Sequence, residues 1–152
     1  AAVPGSTQLI MENGAGGGSK LGSTPEEIGL IYKALKSPRA KVCLDTQHSY
    51  ASGLMKNYSD EEIKELAARC KKSFGLKNLV ALHLNDSKTE SGSFHDRHEN
   101  IGEGKIGLAA FRRLAKHPDF GKLPWILEVP GFADTGPDKK NVEILQKLVK
   151  ML

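Results

Sequence analysis

Four acids and imidazoles in this sequence stand where a divalent metal would want them. Glu12 follows Leu9-Ile10-Met11, Asp45 follows Val42-Cys43-Leu44, His83 follows Leu79-Val80-Ala81-Leu82, and Glu128 follows Trp125-Ile126-Leu127. Apolar stretches this short, separated by helical patterns, predict buried parallel strands. In βα architectures the carboxyl ends of such strands face a common site. Oxygen and imidazole donors delivered there from separate strands suit a divalent cation better than a structural role. Any one of these acids alone would read as an ordinary strand-end cap. The set of them argues otherwise, because a charge beside a fully apolar run is costly to bury unless it is paired or coordinated.

A second group lies close by. Asp45-Thr46-Gln47-His48 places a carboxylate and an imidazole one helical turn apart. Asp96-Arg97-His98 sits in a long polar segment, Asn85 to Gly107, that has no apolar run. Loops of that length inside a compact domain are usually functional or disordered. Asp96 and His98, two residues apart in extended chain, point the same way. With His48 they would make a three-ligand site with an open position, the pattern of a catalytic zinc. The alternative is a solvated, charged loop. His95 would point away from Asp96, and His117, before Pro118 at a helix end, reads as structural. Glu12 to Ser19 is glycine-rich but lacks the Walker spacing and the third glycine of the dinucleotide pattern. Its glycines instead suit a close backbone approach to a ligand or a neighbouring loop. Gly102-Glu103-Gly104 reads as a tight turn.

The elements that must position these residues follow from periodicity. Thr24-Pro25-Glu26-Glu27 is a capping box with Pro at the first helical position, followed by Ile28, Ile31, Tyr32 and Leu35. Ser59 to Glu62 is a second, followed by Ile63, Leu66, Ala67, Cys70 and Phe74. A third helix carries Leu108, Phe111, Leu114 and Ala115. The last begins near Pro137-Asp138 and is expected to bury Val142, Leu145, Leu148, Val149 and Leu152. The expected fold is therefore α/β, of (β/α) TIM-barrel type, with about four βα units in one partial barrel domain over residues 1–152. A closed (β/α)₈ barrel takes about 250 residues, so something upstream is expected to be missing, or the chain pairs with another.

Composition narrows the classes. No apolar run approaches the roughly 18 residues of a membrane span, and no basic-then-apolar signal opens the chain. The net charge of +4 and pI near 9.0 permit a polyanionic partner. Cys43 and Cys70 read as small buried hydrophobes rather than a disulfide framework.

Read in order, Glu12-Asn13-x-Ala15-Gly16, Asp45-Thr46-x-His48, His83-Leu84-Asn85-Asp86, Asp96-Arg97-His98 with Gly102-Glu103-Gly104, and Leu127-Glu128 resemble the endonuclease IV family. These are zinc-dependent apurinic/apyrimidinic (AP) endonucleases of base excision repair. The resemblance runs from about Gln8 to Glu128 and covers the C-terminal half of the family's (β/α)₈ barrel. It implies a trinuclear zinc site. Glu12, Asp45, His83 and Glu128 would hold one zinc, with Glu12 bridging to a second, while His48, Asp96 and His98 would hold the third. Glu12, Asp45 and Glu128 are the implied catalytic carboxylates. The implied partner is damaged double-stranded DNA, cut 5′ to an abasic site to leave a 3′-hydroxyl, with no membrane partner. The implied location is wherever such DNA lies: the nucleoid-bearing cytoplasm of a bacterium, or the nucleus or mitochondrion of a eukaryote. The family's first half supplies two further histidines to the bridged zinc, which have no counterpart here. The chain thus carries ligands for about two complete sites, and a missing N-terminal half-barrel or self-association is expected. Two alternatives stay open: a metal-dependent sugar isomerase or epimerase of the same barrel superfamily, and a catalytically inactive fragment.

Overall fold

The computed structural model describes residues 5–150. Strands β1 (Leu9–Glu12), β2 (Ala40–Asp45), β3 (Leu79–His83) and β6 (Trp125–Ile126) form one parallel sheet in the order β1-β2-β3-β6. Helices α1 (Pro25–Leu35), α2 (Thr46–Ala51) and α3 (Asp60–Ser73) lie between the first three strands in sequence, α4 (Gly107–Lys116) precedes β6, and α5 (Lys139–Lys150) follows it. Parallel neighbours need such crossovers. A two-stranded antiparallel ribbon, β4 (Asp86–Ser87) with β5 (His98–Glu99), branches off after β3. The segment expected to be a plain loop thus has its own register, with Ser87 opposite His98.

The capping boxes form with a local variation. The Glu27 N–H donates to Thr24 Oγ1, but the Glu27 carboxylate reaches back to the N–H groups of Gly22 and Ser23. At α3 the Glu62 N–H donates to Ser59 Oγ, and its carboxylate accepts from the N–H groups of Lys56 and Asn57. Each N-cap hydroxyl satisfies one helix-start donor that would otherwise be orphaned, and each carboxylate ties the preceding loop to the helix.

One core holds the layers together. Val42 and Leu44 of β2 and Leu82 of β3 join Ile28, Ile63, Leu66, Phe111, Leu114 and Leu145 in it. Both cysteines are free and buried. The expectation of four buried strands is corrected at the edges: Leu9, Ile10 and Ile126 are exposed, because among the described residues β1 and β6 each have a sheet neighbour on one side only. Helix α5 buries Leu145 and Leu148, but Val142 and Val149 are exposed. They line an open apolar groove with Trp125 and Leu127 rather than a closed core. Ile31, Leu35 and Leu108 are also exposed on their helices, and Leu152 lies outside the described residues. No helix among the described residues is long and apolar enough to cross a membrane.

Candidate metal centre

The carboxyl ends of the strands deliver their donors to one place. Glu12, Asp45 and His83 are the last residues of β1, β2 and β3. Glu128 lies two residues past β6. One donor atom from each of these residues falls within 4.8 Å of all the others. Glu12 Oε1 is 3.1 Å from His83 Nδ1, and Glu128 Oε2 lies 3.1 Å from the same nitrogen.

The Asp-x-x-His spacing has a local cause. Asp45 ends β2 and caps α2, its Oδ1 accepting from the His48 N–H at 2.8 Å. A capping carboxylate binds the N–H groups of the first turn, so residue 48 begins beside residue 45. The His48 ring then turns toward the loop strand. Asp96 Oδ1 lies 3.2 Å from His48 Nε2 and 3.3 Å from His98 Nε2. Asp45, His48 and His98 form a second donor set, again within 4.8 Å. Asp45 therefore belongs to both sets, a sharing that sequence spacing did not reveal. Its Oδ2 is 4.0 Å from His83 Nδ1 and 3.9 Å from His98 Nε2.

Three imidazole nitrogens, His48 Nε2, His83 Nδ1 and His98 Nε2, are buried without a hydrogen-bond partner. Two of these rings hydrogen-bond a backbone carbonyl through their other nitrogen: His48 Nδ1 to Asn13 O at 2.7 Å, and His98 Nδ1 to Glu128 O at 3.1 Å. A carbonyl only accepts, so in the neutral ring Nδ1 carries the hydrogen and Nε2 is the nitrogen free to ligate. That is how a ligating histidine is held. Buried orphan nitrogens converging on carboxylates fit a metal, and the mix of oxygen and imidazole donors suits zinc.

Electrostatics agree with a charged cluster. Burial alone would raise the Glu12 carboxyl, but the His48 and His83 imidazoles hold it down to about 2. Burial likewise opposes protonation of His48, yet Glu12, Asp45 and Asp96 raise it to about 9. His83 is raised to about 11 by contact with Cys43 and then by Glu12. Desolvation pushes Asp45 up, against His48 and His98.

A family model described as xylose isomerase-like TIM barrel matches residues 4–151. The chain belongs to this family. Its curated relatives include a probable endonuclease 4 of Thermosipho africanus, 38% identical over 95% of this chain and 51% of its own length. Endonuclease IV from Thermus thermophilus superposes with a TM-score of 0.75 at 30% identity, covering 95% of this chain and 50% of that one. A D-tagatose 3-epimerase-like protein superposes with a TM-score of 0.66 at 22% identity, over 95% of this chain and 47% of its own, a likeness of fold. The chain spans about half the length of the curated relatives it matches.

Within this family frame the remaining residues fall into place. His95 is exposed, and His117 caps the end of α4. The glycines of the first loop serve a neighbouring loop: a Cβ on Gly17 would come within 3.0 Å of Phe94. Gly104 is required by the Asp86 carboxylate, which a Cβ there would meet at 2.5 Å. That carboxylate accepts from the N–H groups of Gly102 and Ile106 and so holds the turn after β5. Asn13 and Asn85, which the sequence offered only as members of the resemblance motifs with no role assigned, are components of the site. Asn13 Oδ1 accepts from Asp45 N at 2.6 Å, and Asn85 Nδ2 donates to Asp45 Oδ2 at 2.6 Å. Their sequence signal is their place in those motifs, Asn13 next to Glu12 and Asn85 two after His83.

Proposed function

We propose that this chain is the C-terminal half of a zinc-dependent AP endonuclease. Its reaction is hydrolysis of the DNA phosphodiester 5′ to an abasic site, leaving a 3′-hydroxyl. Glu12, Asp45, His83 and Glu128 would hold one zinc. His48, Asp96 and His98, with Asp45 at the boundary, would hold another. Bound zinc makes water an effective nucleophile near neutral pH and neutralises charge on phosphoryl oxygens. The chain's own residues do the rest. Asp45 faces both donor sets and fixes their separation. The backbone carbonyls of Asn13 and Glu128 keep hydrogen on the Nδ1 atoms of His48 and His98. His48 and His83, protonated at neutral pH when no metal is present, release those protons on loading. Glu12, Asp45 and Glu128 are proposed as the catalytic carboxylates.

The observation that carries this reading is the second donor set. A sugar isomerase of the same fold has work for the strand-end set but not for a second set that joins Asp45 to His48 and His98, with Asp96 against both rings. The relatives named endonuclease 4 point the same way. The net charge of +4 suits a polyanionic substrate.

The test has two parts. Elemental analysis of the gently purified chain should find more than one zinc, and His98→Ala should remove one while leaving the strand-end set loaded. Unchanged metal content in His98→Ala rejects the second site. In the full-length enzyme, a defined abasic duplex should be nicked to a 3′-hydroxyl end. The isolated chain should nick weakly and self-associate, because the sheet edges of the described residues are open and the two further histidines that the resemblance implies would have to come from the other half. Robust nicking by a monomer of this chain would reject the half-barrel reading.

A further inference from the structure

Asn85 is fully buried, two residues past the end of β3, between the strands that carry Asp45 and Glu128. Its backbone is clamped by one hydroxyl: Thr46 Oγ1 accepts from Asn85 N at 2.9 Å and donates to Asn85 O at 2.7 Å. Its side-chain amide then faces two different partners. Nδ2 donates to Asp45 Oδ2 at 2.6 Å, and Oδ1 accepts from Glu128 N at 2.8 Å. A carboxylate only accepts and a backbone N–H only donates, so the amide has one orientation. A flip would set oxygen against oxygen and N–H against N–H. The path continues past it, because the Glu128 carbonyl accepts from His98 Nδ1 at 3.1 Å. Asp45, Asn85, Glu128 and His98 are thus joined by consecutive hydrogen bonds, and the two donor sets are connected through one amide.

We infer that Asn85 is a positioning residue that fixes Asp45 and Glu128 at a set separation across β3 and couples the geometry of the two donor sets. The inference rests on the proposed metal reading. Asp45 is shared by both sets and is aimed by two hydrogen bonds, from His48 N on one oxygen and from Asn85 on the other. Without Asn85, Asp45 keeps His48 N on Oδ1 but loses the donor on Oδ2, and Glu128 N loses its acceptor beside the carbonyl that His98 Nδ1 binds. Residues that orient ligands in this way are worth about 10- to 100-fold in metal affinity.

Cobalt(II) titration of the 152-residue chain tests it, since the visible absorption of bound cobalt reports coordination geometry independently of turnover. Asn85→Ala should keep the far-ultraviolet circular dichroism of the wild type. It should weaken cobalt binding about 10- to 100-fold and change the shape of the cobalt spectrum. Asn78→Ala is the control. Asn78 is also buried and hydrogen-bonded, to Phe74 O and Lys41 Nζ, but sits before the amino end of β3, away from both sets. It should lower melting temperature and leave the spectrum unchanged. Wild-type affinity and spectrum in Asn85→Ala would overturn the inference, as would an equal spectral change in Asn78→Ala. If Asn85→Ala does not fold, Asn85→Asp is read instead. It keeps the size and the acceptor for Glu128 N while removing the donor to Asp45, and an unaltered spectrum there overturns the inference. Failure of the wild type itself to bind cobalt overturns the metal reading, a result distinct from either.

Discussion

Strand β2 is buried along nearly its whole length, whereas its neighbour β1 leaves Leu9 63% and Ile10 47% exposed. Both strands end on a carboxylate donor to the same cluster. Asp45, at the end of β2, is 0% exposed and hydrogen-bonded to His48 N and Asn85. Glu12, at the end of β1, is partly exposed and is placed by close contact with His48 and His83. The middle of the sheet therefore fixes its donors through packing and hydrogen bonds. The edge holds its donor chiefly through charge. Strand β6 resembles β1, with Ile126 exposed and an apolar groove running along α5 beside it. The centre of the site is well built while the wall on either side stands open.

Core packing should give the widest contrast. Leu44→Ala, in the core beside Asp45, should cost about 2–5 kcal/mol in urea denaturation, while Leu9→Ala should stay within about 0.5 kcal/mol. Both are read at concentrations where the chain is monomeric, and equal losses there would mean that β1 is covered within the monomer. A smaller energetic effect, read in catalysis, is expected at the edge donor Glu128. In the full-length enzyme of the proposed function, Glu128→Gln should cut cleavage of an abasic duplex at least about 100-fold with melting temperature unchanged. Near-normal cleavage would remove Glu128 from the reaction.

The charge-held donors should respond to pH. In the metal-free chain His48 and His83 stand at about 9 and 11, above an ordinary 6.5. Their stabilisation is complete below pH 6.5 and is lost as pH rises through 9 to 11. Glu12 stands at about 2, below its ordinary 4.5, so its share is present above pH 4.5 and lost as pH falls through 2. Melting curves of the metal-free chain should therefore decline on the alkaline side, and zinc should abolish that decline by taking the place of the protons. Calorimetry at about pH 7 in buffers of different ionisation enthalpy should show net proton release on zinc binding. The smallest expected change in stability is at the open edges. Ile10→Lys with Ile126→Lys should leave stability within about 0.5 kcal/mol and shift sizing chromatography toward monomer, since edge lysines block strand pairing. An unchanged elution profile would place self-association elsewhere.

Much of this was legible in the sequence because it depends on short-range rules. Apolar runs ending in Glu12, Asp45 and His83 gave the strands, and Thr24 and Ser59 marked two helix starts. The sequence overstated burial where the outcome depends on neighbours. Leu9, Ile10, Val142 and Val149 have the composition of core residues, yet no element among the described residues covers them.

What the sequence determined by itself is the parts: strand, donor and capped helix recur because apolar patterning and side-chain caps act within a few residues. The tertiary structure decided how those parts meet. Between Val42 and Cys43 the β2–β3 register slips by one residue, so that Asp45 faces His83 and not Leu82. A one-residue slip moves every following side chain to a new partner. Cross-strand hydrogen bonds, at 32 residues' separation for Asn13 and 40 for Asn85, then aim Asp45. Neither register nor such long-range bonds leave a periodic trace in the chain, because they depend on which residues become neighbours once the sheet has formed.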